Sequence, residues 1–444
     1  MRNISPARLA AFGILLKIEN ESAFSSSLLP QYEENLETKD RALCHELTLG
    51  VLRRKLLLDK IVESLTKKNV DKFDLEVLTA LRLGVYQLIF LDKIPAYSAI
   101  NESVNLVHVA KKRSATGLVN AVLRKVSQKK LPETSFVDEI DRISIQTSHP
   151  RWLIETWRAQ FGLAETEAIA NANNETPKSA FRFTSKFYSK GEAGQKAIIN
   201  LIDEINVHQS KIIEGSFVVN KSSDFLRKLA DSGEIYFQEE GSQLVGKAVN
   251  LKEGESLLDI CAAPGSKITF IISKLGSNQP RLIVAGDFYE HRIRNLKENI
   301  EKQGASAVQI VRYDADNHLP FCEESFDVVL LDAPCSGTGT IRSNPEIRYF
   351  LTPNALKELP EKQLKFLKNA SKLIKSGGRL IYSTCSLETQ ENEEVIEKFL
   401  ESEVGFEKGK SNLAEELLTG RGFYRTFPNR DKVDGFFVAV LSKS

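Results

Sequence analysis

Two cysteines in similar surroundings hold the chemical potential of this chain. Cys335 stands in Leu330-Leu331-Asp332-Ala333-Pro334-Cys335-Ser336-Gly337-Thr338-Gly339, and Cys385 closes Arg379-Leu380-Ile381-Tyr382-Ser383-Thr384-Cys385. The apolar run from Val328 to Leu331 has the length and composition of a buried parallel strand, and the second motif ends an apolar run in the same way. Ligands of open α/β sheets sit beyond the carboxyl ends of the strands. Asp332, Cys335 and Cys385 are therefore predicted to face one crevice, where a thiolate is a candidate nucleophile.

The elements needed to position them begin near Tyr236. Strands are predicted at Ser256 to Cys261, Leu282 to Gly286, Ala307 to Val311, Phe326 to Leu331 and Arg379 to Ser383, with a β-rich pair at Gly422 to Phe427 and Gly435 to Leu441. Helical patterns fill the gaps at Lys267 to Leu275, Glu290 to Gln303, Ala355 to Lys375 and Glu391 to Glu401. This alternation predicts an α/β, doubly wound, Rossmann-like domain over 236–444. Residues 1–130 read as all-α, with apolar residues such as Leu47, Val51, Leu58 and Val62 recurring at helical spacing. The stretch 131–235, opened by Leu131-Pro132-Glu133-Thr134, reads as a linker plus a small α+β connector. Its short β-like runs are Ala180 to Phe183 and Ser216 to Val219.

Composition narrows the class. The chain has 444 residues, 42% hydrophobic and 27% charged, with a net charge of +1. Two or three domains are expected at this length. No apolar stretch reaches the roughly 18 residues of a membrane span, and Met1-Arg2-Asn3-Ile4-Ser5-Pro6 lacks a signal-peptide core. A cytoplasmic protein without membrane contact is expected. The five cysteines read as free thiols, and no spacing suggests a metal site. Cys44 and Cys322 are read as packing residues. Charge is uneven: Lys111, Lys112, Arg113, Arg124, Lys125, Lys129 and Lys130 cluster between His108 and Lys130 without an acidic residue. By itself such a cluster is more often a solvated helix face than a phosphate-binding surface.

The first predicted strand runs from Cys261 into the small-residue turn Ala262-Ala263-Pro264-Gly265-Ser266-Lys267. Such a turn lets a ligand approach the backbone and a helix N-terminus. It is neither a GxGxxG fingerprint nor a Walker A loop. Asp287 ends the next strand, about 20 residues on, where a carboxylate accepts ribose hydroxyls; Arg292 follows it on the next helix. Asp314 and Asp332 end the next two strands. Each alone is as readily a helix N-cap. As a series without a phosphate loop they fit a nucleoside lacking phosphates, and S-adenosylmethionine leads.

These motifs together resemble the Nol1/Nop2/Sun family of RNA cytosine-5 methyltransferases. Beyond the two cysteine motifs and Cys261-Ala262-Ala263-Pro264-Gly265, the resemblance extends to Glu240-Gly241-Ser242-Gln243-Leu244, to Ile341-Arg342 with Asn344-Pro345-Glu346, and to Asp434-Gly435-Phe436-Phe437-Val438-Ala439. Asp40-Arg41-Ala42-Leu43, Gly50-Val51-Leu52-Arg53-Arg54, Gly84-Val85-Tyr86-Gln87-Leu88 and Val119-Asn120-Ala121-Val122-Leu123-Arg124 are similar to the NusB-like RNA-binding domain of its bacterial Sun-type members. The family's usual Pro-Gly-Gly-Lys-Thr is here Pro264-Gly265-Ser266-Lys267-Ile268, which adds a Cβ where the backbone could need a positive φ. Tyr313 replaces a frequent Gly, and Ser343 a frequent Arg.

The resemblance implies S-adenosylmethionine as cofactor and a cytosine of 16S ribosomal RNA, unassembled or partly assembled, as substrate of a monomer. It assigns Cys385 as the nucleophile toward C6 and Cys335 as the residue assisting release. Asp332 is assigned to the N3/N4 edge of the base, and Lys267 to orientation or thiol activation. It also turns the basic cluster toward RNA, with Lys111, Lys112, Arg113, Arg124 and Arg342 as expected contacts. Arg182 and Arg342 are read as exposed residues near RNA-facing loops. Methylation of transfer RNA and a non-catalytic assembly factor are the rivals. An amino-group methyltransferase more naturally carries Asn/Asp-Pro-Pro-aromatic where this chain has Asp-Ala-Pro-Cys.

Overall fold

The structure is a computed structural model and describes residues 4–130, 135–221, 223–276 and 279–444. The linker opening at Leu131-Pro132-Glu133-Thr134 lies outside the described residues. The chain divides into two compact units, Met1–Glu175 with Ile341–Thr352, and Thr176–Thr340 with Pro353–Ser444. The connector sheet falls in the second unit, and a short segment following the Cys335 loop falls in the first.

The first unit is helical. Pro6 starts the opening helix, Pro6–Glu21, where its missing N–H costs nothing. The 29-residue helix Thr38–Thr66 ends at Lys67 in the left-handed region and packs against Leu75–Phe90. A Cβ on Gly50 would lie 2.1 Å from the Tyr86 ring, so glycine sets that approach. Arg82 is buried but forks onto Asp59 at 2.7 and 2.9 Å, a bidentate pairing that offsets its desolvation. The segment Ile341–Thr352 is anchored by buried polar groups. Glu346 accepts from the Ser25 amide at 2.7 Å and hydroxyl at 2.9 Å. Arg348 donates to Thr147 O at 3.0 Å and Asn174 Oδ1 at 3.1 Å, and burial pushes its guanidinium down to about 10. Arg342, expected at an RNA surface, is only 4% exposed. It lies in this packed segment, away from solvent, and its carbonyl accepts from Arg53 at 3.1 Å.

The second unit contains two sheets. The smaller joins β1 (Ser179–Phe183), β2 (Val207–Gln209), β3 (Ser216–Val219) and β4 (Ile235–Phe237) in the order β2-β3-β1-β4, all antiparallel. Phe181, Phe183 and Phe187 form its core with Ile202, Leu226 and Leu229. The larger has β5 (Ser256–Asp259), β6 (Leu282–Asp287), β7 (Val308–Arg312), β8 (Phe326–Asp332), β9 (Ile374–Thr384), β10 (Phe406–Lys408), β11 (Tyr424–Arg425) and β12 (Phe437–Lys443). Its order is β10-β12-β9-β8-β5-β6-β7, with β11 on β12. Strands β5 to β9 are parallel, and β12 is antiparallel to β9. This is the expected Rossmann-like sheet.

Alternation along the strands feeds two cores. Leu257, Val328, Leu330 and Ile381 face one, while Leu258, Val329, Leu331 and Tyr382 face the other. The first is covered by the helices Glu240–Val249, Ser266–Ser273 and Glu290–Lys302, the second by Ala355–Ser371 and Glu393–Ser402. Two predicted boundaries move. The helix expected to reach Lys375 stops at Ser371, because Ile374 already pairs with Phe326 in the sheet. The strand expected over Gly422 to Phe427 shrinks to Tyr424–Arg425. Cys44 is buried as expected, but Cys322 is exposed on the turn before β8, where its carbonyl accepts from Ser325. No helix among the described residues is long and apolar enough to cross a membrane.

Candidate active site

Order reverses at β5, which pairs with β6 on one side and β8 on the other. Ligands bind at such a switch point, and the carboxyl ends of β5, β8 and β9 deliver the predicted residues there. Asp332 ends β8 and Thr384 ends β9, in adjacent register. The loops that follow bring the Cys335 and Cys385 sulfurs to 3.3 Å. Gly339 closes the contact: its amide donates to the Cys385 carbonyl at 2.9 Å. A Cβ on Gly339 would sit 2.0 Å from the Gly435 carbonyl, so only glycine fits.

Beneath the thiols lies a residue not foreseen as functional. Glu391 is fully buried. It accepts from the Ser336 amide at 2.8 Å, the Ser386 hydroxyl at 2.7 Å and the Gln363 side chain at 2.9 Å. Ser336 and Ser386 each follow one of the cysteines, so one carboxylate ties both loops. The sequence reading placed Glu391 at a helix start, and it gave no signal for this role.

Asp332 is half-buried. Its Oδ2 accepts from Lys267 Nζ at 2.6 Å and its Oδ1 from the Ser383 hydroxyl at 2.7 Å. Burial alone lowers the Lys267 pKa, but Asp332 more than offsets this and holds the amine above its usual value. Cys335 is held well above the ordinary thiol value by its hydrogen bond to Cys385 and by burial.

The predicted cofactor residues gather on the other side of β5. Gly265 has φ 100° and caps the helix Ser266–Ser273. Ser266 is already helical, so the positive φ falls on glycine and the extra Cβ is accommodated. Asp287 is buried at the end of β6 and accepts from the Phe288 amide at 2.8 Å and the Ala263 amide at 3.3 Å. Arg292 pairs with it at 3.4 Å and donates to the Ala263 carbonyl at 2.9 Å, binding turn to strand end. Asp314 is half-buried and folds a turn, accepting from the Asp316 amide at 2.9 Å and Asn317 at 2.8 Å. Tyr313 fits because Gly286 leaves it space, and its hydroxyl donates to the Ile260 carbonyl at 3.2 Å. Cys261 is held well above the ordinary thiol value, chiefly by burial.

Asp259, at the end of β5, was missed, although the strand-end rule that selected Asp287 and Asp332 applies to it. Neither of its buried carboxyl oxygens has a hydrogen-bond partner among the described residues. Burial pushes this carboxyl up to about 8, with Asp332 adding and Lys267 opposing. A buried acid without a hydrogen-bond partner, beside the turn Ala262-Ala263-Pro264-Gly265, fits a ligand that brings a polar partner and no phosphate.

Arg182, also expected to be exposed, is fully buried. It donates to Gln238 at 2.6 Å, Thr269 at 2.8 Å and the Ser266 carbonyl at 3.0 Å, steadying the helix that carries Lys267. In the helical unit Lys111, Arg113 and Arg124 are exposed. Lys112 instead pairs with Asp74 at 3.1 Å, a carboxylate outside the stretch that defined the basic cluster.

Comparison with known proteins agrees with this layout. The family model described as 16S rRNA methyltransferase RsmB/F matches residues 247–442. The probable ribosomal RNA small subunit methyltransferase B of Bacillus subtilis (strain 168) is 31% identical, over 98% of each chain. The chain belongs to the 16S rRNA methyltransferase RsmB/F family. It is a methyltransferase. The NusB family model matches residues 5–128, and a Methyltr_RsmF/B-like ferredoxin-like domain matches 149–193. Both the predicted family and its NusB-like N-terminus are thereby borne out. The ribosomal RNA small subunit methyltransferase B of Yersinia pestis bv. Antiqua (strain Angola) is 28% identical over the full length of both chains. The crystal structure of PH0851 superposes with a TM-score of 0.81 at 25% identity, covering 99% of both chains. A methyltransferase homolog protein from Pyrococcus horikoshii, also 25% identical, has a TM-score of 0.59 over 70% of this chain and all of its own.

Proposed function

We propose that this protein transfers a methyl group from S-adenosylmethionine to C5 of a cytosine in 16S ribosomal RNA, through a covalent bond between Cys385 and C6 of the base. The observation that carries the reading is the 3.3 Å approach of the two sulfurs beside the Asp332–Lys267 pair. The turn 262–267 with Asp259, Asp287, Arg292 and Asp314 would hold the cofactor, which supplies an electrophilic methyl group when bound.

C5 of cytosine is too electron-poor to accept a methyl group unaided. Addition of the Cys385 thiolate to C6 makes the ring an enamine and C5 a nucleophile. Asp332 hydrogen-bonds the N3/N4 edge and favours ring protonation, with Lys267 and Ser383 fixing its carboxylate. After C5 is methylated, a water molecule takes its proton, the electron pair re-forms the C5–C6 double bond, and the Cys385 thiolate departs. Cys335, whose sulfur lies 3.3 Å from that of Cys385, assists the elimination. The target base must leave its stack, so unassembled or partly assembled RNA is the substrate. Lys111, Arg113 and Arg124 meet its phosphates, with Lys112 in reach when it leaves Asp74.

The test is methyl transfer to protein-free 16S RNA and to transfer RNA, followed by nucleoside analysis. The reading predicts 5-methylcytidine in 16S RNA. Methylation confined to transfer RNA, or to an exocyclic amine, contradicts it.

A further inference from the structure

A cavity of about 520 Å³ lies within the second unit, and none of the thiol or cofactor-turn residues lines it. Its walls include Tyr188, Glu214, Lys247, Asn250, Phe270 and Lys274. Helix 266–273 starts at the carboxyl end of β5 and runs back for about 12 Å. Lys274, just past its end, therefore lies toward the opposite edge of the sheet from Cys335 and Cys385. The helix Glu240–Val249 also ends there, at Asn250.

The charge in this cavity is not balanced. Two ammonium groups, Lys247 and Lys274, face one carboxylate, Glu214. Neither lysine has an ion-pair partner among the described residues. Behind the wall stands Arg182, fully buried, with acceptors that are all neutral: Gln238, Thr269, Gln303 and two backbone carbonyls. The Arg182 guanidinium and the Lys274 amine each lie 5.6 Å from the Phe270 ring centre. Loss of solvent and the nearby Arg182 push Lys274 below the usual lysine value, with Glu214 opposing and Lys247 adding. Of these cations only Arg182 is fully buried, Lys247 being half-buried and Lys274 exposed; a buried cation without a counter-charge is costly, and an anion in the cavity would offset that cost.

The rest of the lining narrows the anion. Tyr188 is 43% exposed at the rim, giving a flat apolar surface suited to stacking a base. Asn250 offers an amide able to pair with a base edge. The volume lies in the ordinary range for small-ligand sites, about 300–1,000 Å³. We propose that this cavity binds a nucleotide, its phosphate between Lys247 and Lys274 and its base against Tyr188. In the RNA arm this rests on the proposed ribosomal RNA substrate: a strand whose target base is in the cleft places a distant nucleotide here. A free mononucleotide has the same chemistry.

The test uses the full-length protein and the Lys247→Gln/Lys274→Gln double variant, with Tyr188→Leu as a second, uncharged probe. Filter binding of 16S RNA across a salt series, calorimetric titration with adenosine 5′-monophosphate, and S-adenosylmethionine affinity are measured on each. For an RNA nucleotide, RNA affinity falls about tenfold and its salt slope decreases by about 1 in the double variant. Tyr188→Leu then weakens RNA binding without changing that slope, and S-adenosylmethionine affinity stays at the wild-type value in both. For a free nucleotide, only the adenosine monophosphate titration is lost in the variants. If neither RNA nor mononucleotide binding differs from wild type, the proposal is overturned. The mononucleotide titration needs no methylation, so it stays readable if the 16S substrate assignment fails.

Discussion

The sulfurs of Cys335 and Cys385 lie 3.3 Å apart although the residues are 50 positions apart in sequence. Adjacent parallel strands, β8 and β9, bring their loops together. The proposed reaction gives the two sulfurs different roles, Cys385 bonding to the base and Cys335 assisting its release.

Glu391 is the fixed point of that arrangement. Replacing it with alanine leaves the Ser336 amide without its acceptor, a loss of about 1–3 kcal/mol for a buried group left unsatisfied, and removes the tie to Ser386 and Gln363. We expect kcat to fall at least ~100-fold through misplacement of the thiols. S-adenosylmethionine affinity should be little changed, because the cofactor turn is held by Asp287 and Arg292. Glu391→Gln, which keeps one oxygen acceptor, should recover part of kcat. Equal loss of kcat and cofactor affinity would show that Glu391 supports the fold at large rather than the thiol pair.

Asp259 predicts a pH dependence of stability. Its carboxyl is pushed up to about 8 from an ordinary 3.8. Below the ordinary value both folded and unfolded chains hold the proton. Between the two values the unfolded chain ionises while the folded one stays neutral, so stability is lost as pH rises and levels off above the folded value. Each unit of such a shift is worth about 1.4 kcal/mol. Asp259→Asn cannot ionise, so its stability relative to wild type should increase from about pH 5 to about pH 8. Urea denaturation across that range reads this directly, and a constant difference would remove Asp259 as the source. The same variant should weaken S-adenosylmethionine binding.

Lys267 is held above its usual value by Asp332 despite its burial. Lys267→Met leaves Asp332 with only the Ser383 hydroxyl among the described residues and removes a cation near the thiols. A fall in kcat of about 10²–10⁴-fold is expected, the range for loss of a positioned proton-transfer or electrostatic group. Single-turnover methylation separates this from RNA binding. A raised KM for RNA with unchanged kcat would place Lys267 in binding alone.

Much of this was legible because strand ends announce themselves. The apolar runs before Asp287, Asp332 and Cys385 predict parallel strands, and the parallel sheet puts their ends at one edge. Asp259 escaped because the first strand was drawn through to Cys261, which hid a strand-end acid inside the run. Glu391 escaped for another reason: its partners are a backbone amide and two side chains brought together only by tertiary packing. Arginines misled because a guanidinium is usually exposed. Arg182 is buried by contacts with residues far away in sequence, and Arg342 lies in a segment whose backbone is held by distant Arg53. The association of Ile341–Thr352 with the helical unit likewise depends on Glu346 and Arg348 finding Ser25 and Thr147, which no local pattern encodes.

Trapping the covalent intermediate tests the central claim most directly. Cys335→Ala protein is mixed with protein-free 16S RNA and S-adenosylmethionine and resolved on a denaturing gel. The account predicts a protein–RNA band that resists denaturant and vanishes in the Cys335→Ala/Cys385→Ala double variant. No band from Cys335→Ala, under conditions where wild type methylates the same RNA, would contradict the division of labour between the two thiols.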